Sequence, residues 1–298
     1  MFRAGVTTIT SERSIAAPDL MTAMRLFVSN LTDPALFPYA CSIDHSPSEQ
    51  VDGSEWHTSA LIISQNMEHH ALANELGKRI NPNSKCLRQW KGSSKNYRRQ
   101  FHQEFFHVLK DYPVLALIAS ARENTILGHE QSLADQLGIT GHRKRVELDG
   151  KKKVEFGPFT YEENTPPKTL IVPERHAPMA IFTANYLLRI HTSLKAAIGE
   201  RIGTSEVPLW VQVWSDKPPS DFTGKYAKLM WLLLGGGSTQ GKFTWGGFTG
   251  NTDQPIDLLA DNLAGLLNEI TQRPDKNRYK GRELQPPVKG MLYWERLE

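Results

Sequence analysis

The sequence predicts an α/β fold in which a mixed sheet is flanked by helices. Two observations lead to this prediction. Short apolar runs bounded by turn residues alternate with longer stretches whose apolar residues recur at helical spacing, and such alternation is typical of a sheet covered by helices. The chain has 298 residues, 39% of them hydrophobic and 22% charged. This length and composition are those of a globular protein with a substantial core.

The first half of the predicted core begins with a pair of strands. Tyr39–Ile43 is an apolar run that ends at Asp44, and His57–Ser64 follows after a polar, turn-rich loop. Before them, Pro18–Ser29 has Leu20, Met24 and Phe27 on one helical face. Two helices and a strand come next, at Asn66–Ile80, Asn96–Lys110 and Val114–Ala121.

The second half returns to regular alternation after a less regular stretch. The predicted elements are a long helix, a strand, a helix, a short strand and an amphipathic closing helix, at Met179–Glu200, Leu209–Ser215, Phe222–Leu234, Lys242–Trp245 and Ile256–Ile270. We therefore divide the chain into an N-terminal extension (1–38), a main domain (39–272) with an irregular insertion (122–178), and a surface tail (273–298) rich in Pro, Lys and Arg.

The insertion contains the strongest hairpin signal in the chain. Arg143–Leu148 and Lys151–Phe156 are charged runs separated by Asp149-Gly150, a dipeptide that favours a tight turn between antiparallel strands. The hairpin is also basic, with His142 and Arg143–Arg145 before the turn and Lys151–Lys153 after it. Such a charge run is typical either of a solvated surface or of a nucleic-acid contact.

The sequence gives no indication of secretion or membrane insertion. The N-terminus lacks the apolar stretch of a signal peptide, and the most apolar runs, Pro113–Ala119 and Leu229–Leu234, are too short to cross a bilayer. The two cysteines, Cys41 and Cys86, are sparse enough for a reducing compartment. We expect a cytoplasmic protein with no membrane partner.

Four aspartates occupy places where an α/β fold gathers functional groups. Asp44 and Asp216 each end a predicted strand, while Asp257 and Asp261 share one face of the closing helix. Turn, cap or solvent-facing roles are the alternative explanations. Asp261 is set among apolar neighbours, however, where an unpaired carboxylate is costly.

A cluster of these carboxylates would require a divalent cation, because negative charges within a few ångströms repel one another. Mg²⁺ and Mn²⁺ prefer such oxygen ligands, and two ions about 4 Å apart can activate water and stabilise the leaving oxygen in phosphodiester hydrolysis. The predicted catalytic metal ligands are Asp44, Asp216 and Asp261, with Asp257 as an additional ligand.

The motifs around two of these aspartates resemble those of a bacterial and phage family, domain of unknown function 3800, which is similar to RNase H in fold. The family opens with a strand leading into Asp-Glu-Ser-Gly, where this chain has Ile43-Asp44-His45-Ser46. It closes with a helix reading Gln-Leu-Ala-Asp, where this chain has Leu258-Leu259-Ala260-Asp261. The resemblance covers about residues 39–270. It implies an RNase H-like domain, a nuclease activity and a phage-related or defence context.

The chain departs from the family at three motif positions. His45 replaces the Glu of the opening motif, and Leu258 replaces the Gln of the closing one. The family also has an acidic residue before a lysine near the end of the first helix, where Lys91 is the matching lysine here and no acid precedes it. The candidates for a fourth ligand are then Asp257, Asp253 and Glu55.

A basic segment interleaved with aromatic residues borders the predicted site. It runs from Lys85 to Arg99. Cations that contact phosphates and aromatic rings that stack on bases are features of nucleic-acid interfaces. We predict that nucleic acid binds to Arg88, Trp90, Lys91 and Arg98, with a solvated surface as the alternative.

A phosphate-binding loop is disfavoured. Gly236–Lys242 matches the first part of such a loop, but Phe243 stands where Ser or Thr should hold Mg²⁺, and the following residues favour a strand over a helix. Two hypotheses therefore remain. One is a Mg²⁺- or Mn²⁺-dependent nuclease acting on DNA or RNA. The other is a catalytically silent RNase H-like module that binds nucleic acid or a partner protein within a larger complex.

Overall fold

The fold was analysed in a computed structural model, which describes residues 19–36, 38–49, 55–122, 125–126, 143–159, 168–173, 177–216, 243–249, 255–272 and 291–297. The helices in these ranges are α1 (Leu20–Ser29), α2 (Glu68–Ile80), α3 (Lys95–Leu109), α4 (Ala177–Ile202) and α5 (Pro255–Gln272). The strands are β1 (Tyr39–Glu49), β2 (Glu55–Gln65), β3 (Val114–Arg122), β4 (Arg143–Leu148), β5 (Lys151–Phe159), β6 (Lys168–Pro173), β7 (Val211–Asp216), β8 (Phe243–Thr249) and β9 (Met291–Leu297).

The main sheet has the strand order β8-β7-β1-β2-β3-β9 within the described ranges. β1, β2 and β3 form an antiparallel meander. β7 runs parallel to β1, and β8 runs parallel to β7. At the other edge, β9 runs parallel to β3. The predicted mixed α/β sheet is therefore confirmed.

Helices cover both faces of this sheet because its central strands are apolar on both sides. Along β1, Cys41 and Ile43 pack in the core cluster that includes residues of α1 and α4. The neighbouring strand residues Ala60 and Ile62 pack instead in a second cluster, with residues of α2, α3 and α5. Successive strand residues point to opposite faces, so one sheet serves two cores.

Side-chain caps explain where two of the helices begin. The Asp19 carboxylate accepts a hydrogen bond from the Thr22 backbone N–H at 2.7 Å and caps α1. The Ser94 hydroxyl accepts one from the Tyr97 N–H at 3.2 Å and caps α3. Such caps satisfy backbone donors that the first helical turn leaves without partners.

The predicted hairpin is confirmed as β4 and β5, which pair antiparallel from Arg143–Phe156 to Leu148–Lys151. Asp149 and Gly150 form its turn with φ angles of 55° and 66°. Two successive positive φ angles are typical of the type I′ turn, and Asp-Gly adopts them readily. β6 extends the hairpin into a separate three-stranded sheet.

The structure corrects three boundaries expected from the sequence. β1 does not end at Asp44 but continues to Glu49, because its pairing with β2 extends beyond its pairing with β7. The 1–38 extension contains α1, whose residues Met24 and Phe27 are buried in the core. The 273–298 tail contains β9, which joins the main sheet. Backbone pairing and long-range packing, which local composition does not reveal, account for these differences.

The predicted helix Phe222–Leu234 and the loop Gly236–Lys242 lie outside the described residues. In the ranges that are described, no helix is both long and apolar enough to cross a membrane.

Candidate functional site

Asp44 and Asp216 lie side by side where the parallel pairing between β1 and β7 ends. The last residues paired between these strands are Ile43 and Ser215, and each aspartate is the next residue of its strand. Asp216 is the last residue of β7, and the carboxyl ends of parallel strands form the edge at which α/β folds place ligands. The backbone register therefore brings together two of the predicted residues, although the Asp216 side chain lies outside the described part of the chain.

The position of Asp44 is set by its pairing with β2. It pairs directly with Ala60, so the two side chains share one face of the sheet. Ala60 packs in the core cluster that contains Leu259 and Leu263 of α5. The half-buried Asp44 carboxylate thus lies on the face that α5 covers.

Helix α5 carries the other two predicted ligands into the interior. Asp257 is only 4% exposed, and Asp261 is half-buried one turn later. Residues on most sides of α5 are buried, because the helix packs between the sheet and the segment that connects α2 to α3. Asp257 also lies in the first turn of α5, where a negative charge is favoured by the helix dipole. That position gives it a structural role independent of any metal.

Asp261 contacts the basic segment directly. Its Oδ2 accepts a hydrogen bond from the Trp90 backbone N–H at 2.7 Å. The adjacent Asn262 donates from Nδ2 to the Arg88 carbonyl at 2.7 Å. One turn of α5 therefore binds the backbone of residues 88–90, which fixes the start of the basic segment against the helix.

Trp90 is part of this packing and is not presented for base stacking. It is 7% exposed. A Cβ atom added at Gly265 would lie 2.2 Å from its indole ring, so the ring rests directly on the α5 backbone at a position where glycine is required. The guanidinium of Arg98 lies over the Trp90 ring, 5.1 Å from the ring centroid. Little of the Trp90 ring is thus exposed, and the nucleic-acid contact predicted for it stays a prediction.

Arg98 is likewise engaged within the protein. It forms an ion pair with Glu269 of α5, and its Nη2 donates to the Trp90 carbonyl at 3.0 Å. Its Nε donates to the Ser93 hydroxyl at 3.1 Å. These contacts link α3, the basic segment and α5, so Arg98 has a structural role that the sequence did not predict.

Arg88 and Lys91 remain candidates for phosphate contact, because both are exposed. The backbone of Arg88 is held at both of its polar groups by the Tyr97 hydroxyl, which accepts from its N–H at 2.8 Å and donates to its carbonyl at 3.2 Å. Burial is the main cause that raises the pKa of Tyr97 to about 12, so the phenol stays protonated and can donate this bond. Two exposed cations are thus carried on a loop with a fixed backbone.

Sequence reasoning missed the residues that hold this loop, namely Tyr97, Asn262, Gly265 and Glu269. One of them did carry a signal. A glycine within a helix lowers its stability, so a glycine on the apolar side of a helix can indicate that a large side chain packs closely against the backbone there. Gly265 carried this signal.

Two buried polar atoms lie two residues before the aspartates on the same strands. Ser42 of β1 is fully buried and Trp214 is its register partner on β7. Among the described residues, neither the Ser42 Oγ nor the Trp214 Nε1 has a hydrogen-bond partner. Polar atoms of this kind are usually completed by an ordered water or a ligand.

The carboxylates fit Mg²⁺ or Mn²⁺ by their chemistry, since both cations prefer oxygen ligands. Among the side chains that the structure describes, no three His, Cys, Asp or Glu residues are grouped as metal ligands. That set omits the side chains of Asp216, Glu55 and His45, and the whole of Asp253. The predicted metal site therefore stays a prediction.

Comparison with family models, with curated proteins and with solved structures yields no match.

Proposed function

We propose that the chain is a Mg²⁺- or Mn²⁺-dependent nuclease that hydrolyses phosphodiester bonds of DNA or RNA on an RNase H-like domain. One observation carries the proposal. Asp44 and Asp216 follow the last paired residues of two neighbouring parallel strands, and α5, which bears Asp257 and Asp261, packs on β1. Four acids on such elements are the donor set that a divalent-metal phosphodiesterase requires.

The order of the main sheet supports the RNase H-like assignment. That fold has an antiparallel three-stranded meander followed by two strands parallel to its first strand. β1, β2 and β3 form such a meander, and β7 and β8 occupy the next two places. The long helix α4 precedes β7, and α5 follows β8, in the order that the resemblance to the domain of unknown function 3800 family implies.

The proposed roles follow from where the residues lie. Asp44, Asp216 and Asp261 would hold the metal, and Asp257 would assist them. Bound Mg²⁺ or Mn²⁺ supplies an activated water and neutralises charge on the phosphate. Lys91 and Arg88 would contact substrate phosphates, since they are exposed on the loop whose backbone Asp261 and Asn262 hold.

The test is a cleavage assay on single- and double-stranded DNA and RNA with each metal. We expect cleavage by the wild type, and none in EDTA or in the variants Asp44→Asn and Asp261→Asn, which remove a charge while keeping the side-chain shape. Asp111→Asn is the matched control, because Asp111 is exposed two residues after α3 ends and the change should leave cleavage unchanged. A wild type that binds nucleic acid but cleaves no member of the panel would contradict the nuclease assignment.

The second candidate is a catalytically silent module that binds nucleic acid or a partner protein. The hydrogen bond from the Trp90 N–H to Asp261 and the dipole-favoured position of Asp257 support it, because both acids then have structural roles without metal. If this candidate is correct, the chain binds nucleic acid or a partner protein and shows no metal-dependent cleavage.

A further inference from the structure

The β4–β5 hairpin concentrates positive charge. Residues 143–155 contain six cationic and three acidic side chains, an excess of three positive charges that equals the net charge of +3 of the whole chain. The segment contains no aromatic residue. Its pairing is regular, and its Asp149-Gly150 turn has the two positive φ angles of a tight hairpin. The hairpin is thus a structured basic ribbon.

The two faces of the ribbon differ. Val154 is 2% exposed and packs in the core cluster that includes strand residues of the main sheet, so the ribbon contacts the domain through Val154. Arg145 and Lys152, on the same face of the ribbon, are exposed. The register places Lys144, Lys151 and Lys153 together on the opposite face. Lys144 and Lys151 are exposed, and the Lys153 ammonium lies 3.7 Å from the Asp149 carboxylate.

Glu155, which pairs with Lys144, and two apolar residues complete this outward face. Val146 is half-buried, and Leu148 is 39% exposed beside Lys151 at the tip. Lysines around a narrow apolar strip can contact phosphates on either side of a groove, while the aliphatic side chains contact its floor. Glu155 is the one acid on this face between residues 143 and 155, and that segment holds no aromatic residue for base stacking.

We propose that the outward face of the β4–β5 ribbon binds double-stranded DNA, with Lys144 and Lys151 contacting phosphates of one major groove. The major groove of B-form DNA is about 12 Å wide and admits a two-stranded β-ribbon. β6 pairs with β5 only from Lys153 onwards, so the tip of the hairpin with Lys151 is two-stranded, and Lys144 lies where the sheet has three strands. The major groove of duplex RNA is too deep and narrow for this, and single strands are held mainly by aromatic stacking. The inference rests on the proposed function for its choice of nucleic acid, and it names the substrate class.

The test measures the binding of a fluorescent DNA duplex by anisotropy in EDTA, at NaCl concentrations from 50 to 200 mM. Each lysine that contacts a phosphate contributes about one unit to the slope of log K against log[salt]. The double variant Lys144→Gln/Lys151→Gln should therefore flatten the slope by about two units and weaken binding about tenfold or more at moderate salt. Glutamine avoids placing a new acid opposite Glu155, which pairs with Lys144.

Two comparisons make the result specific. Lys78→Gln/Lys195→Gln removes two exposed cations from helices α2 and α4 and should leave the slope unchanged. Lys144→Arg/Lys151→Arg keeps both charges and should retain affinity. Thermal melts of each variant confirm folding. An unchanged slope in the hairpin variant, an equal loss in the helix control, or equally tight binding of duplex RNA or single-stranded DNA would overturn the inference.

Failure of this inference is distinguishable from failure of the proposed function. Ribbon-dependent duplex binding without any cleavage would leave the inference standing and remove the nuclease assignment. Metal-dependent cleavage combined with unaltered DNA binding by the hairpin variant would support the nuclease assignment and contradict the inference about the hairpin.

Discussion

At the scale of single residues, Asp261 joins the predicted metal site to the basic segment. Its Oδ2 accepts the Trp90 N–H at 2.7 Å, and it lies one turn after Asp257 on the helix that packs against β1. A metal bound by Asp261 would therefore also stabilise the position of the segment that carries Lys91. Metal binding and substrate contact would then depend on the same carboxylate.

The first prediction concerns the thermal effect of metal. A cation that binds only the folded state raises the melting temperature, so Mg²⁺ or Mn²⁺ should raise that of the wild type. It should not raise that of Asp261→Asn, which keeps an acceptor for the Trp90 N–H but loses the charge. Differential scanning calorimetry with and without metal measures both. An equal shift in the two proteins would show that Asp261 is not a ligand, and Asp111→Asn should shift like the wild type.

The second prediction concerns Gly265. Replacing a helical glycine by alanine usually stabilises a helix by about 1 kcal/mol. Gly265→Ala should instead destabilise the protein, because the new Cβ would meet the Trp90 indole at 2.2 Å. The substitution should become neutral or stabilising in a Trp90→Ala background. Urea unfolding of the four proteins in this cycle measures the coupling, and additive effects would contradict the contact.

The third prediction concerns pH. Burial lowers the pKa of His69 to about 3 and that of His57 to about 4, from an ordinary 6.5. Below pH 6.5 the unfolded chain takes up protons that the folded imidazoles do not, so stability is lost as the pH falls from 6.5 towards 4. The loss approaches about 1.4 kcal/mol per pH unit for each histidine.

Unfolding free energies of the wild type and His69→Gln at pH 7 and pH 5 test this assignment. Loss of the hydrogen bond between Ser64 and His69, 2.6 Å in the wild type, lowers the stability of the variant at both pH values. The unfolding free energy of His69→Gln should nevertheless change less with pH than that of the wild type, by the contribution of one histidine. Identical pH dependence in the two proteins would show that His69 is not protonated on unfolding in this range.

At the scale of elements, the basic segment between α2 and α3 holds cations of two kinds, those paired within the protein and those exposed to solvent. Arg98 pairs with Glu269 and lies over Trp90, whereas Arg88 and Lys91 are exposed. A basic run in the sequence therefore mixes structural cations with candidate phosphate contacts. Charge patterning alone could not distinguish them, because Glu269, the ion-pair partner of Arg98, is 171 residues away in sequence.

The fourth prediction follows from that separation. Arg88→Gln/Lys91→Gln should weaken nucleic-acid binding and reduce its salt dependence with little change in stability. Arg98→Gln should mainly lower the unfolding free energy, because it leaves the partly buried Glu269 without its ion pair. Anisotropy titrations and urea unfolding of both variants measure these effects. A larger loss of binding in Arg98→Gln than in the double variant, at equal stability, would contradict the assignment.

Most elements in the described ranges could be predicted from sequence, since apolar spacing and turn residues are local signals. The Asp149-Gly150 hairpin and α5 are examples. β9 was missed because it follows a stretch rich in Pro, Lys and Arg, and its place beside β3 depends on a long-range pairing. The continuation of β1 past Asp44 was missed for a similar reason, because polar residues there pair through the backbone with β2.

At the scale of the whole molecule, the sheet order explains how distant acids approach one edge. β7 returns to lie beside β1 although more than 160 residues separate them in the chain, and α5 then crosses the same strands. The sequence predicted that Asp216 ends a strand and that Asp257 and Asp261 lie on one helix, whereas β1 continues past Asp44. It could not predict that Asp44 and Asp216 occupy adjacent strands, since that depends on the order of strands in the sheet.

The central claim is that Asp44, Asp216 and Asp261 form a divalent-metal site, and anomalous diffraction from crystals soaked in Mn²⁺ tests it most directly. We expect one or two strong Mn²⁺ peaks coordinated by these carboxylates, which should lie within about 8 Å of one another, the span that two bridging ions allow. The absence of a peak at this edge of the sheet under saturating Mn²⁺, or any of the three carboxylates on the opposite face, would contradict the account.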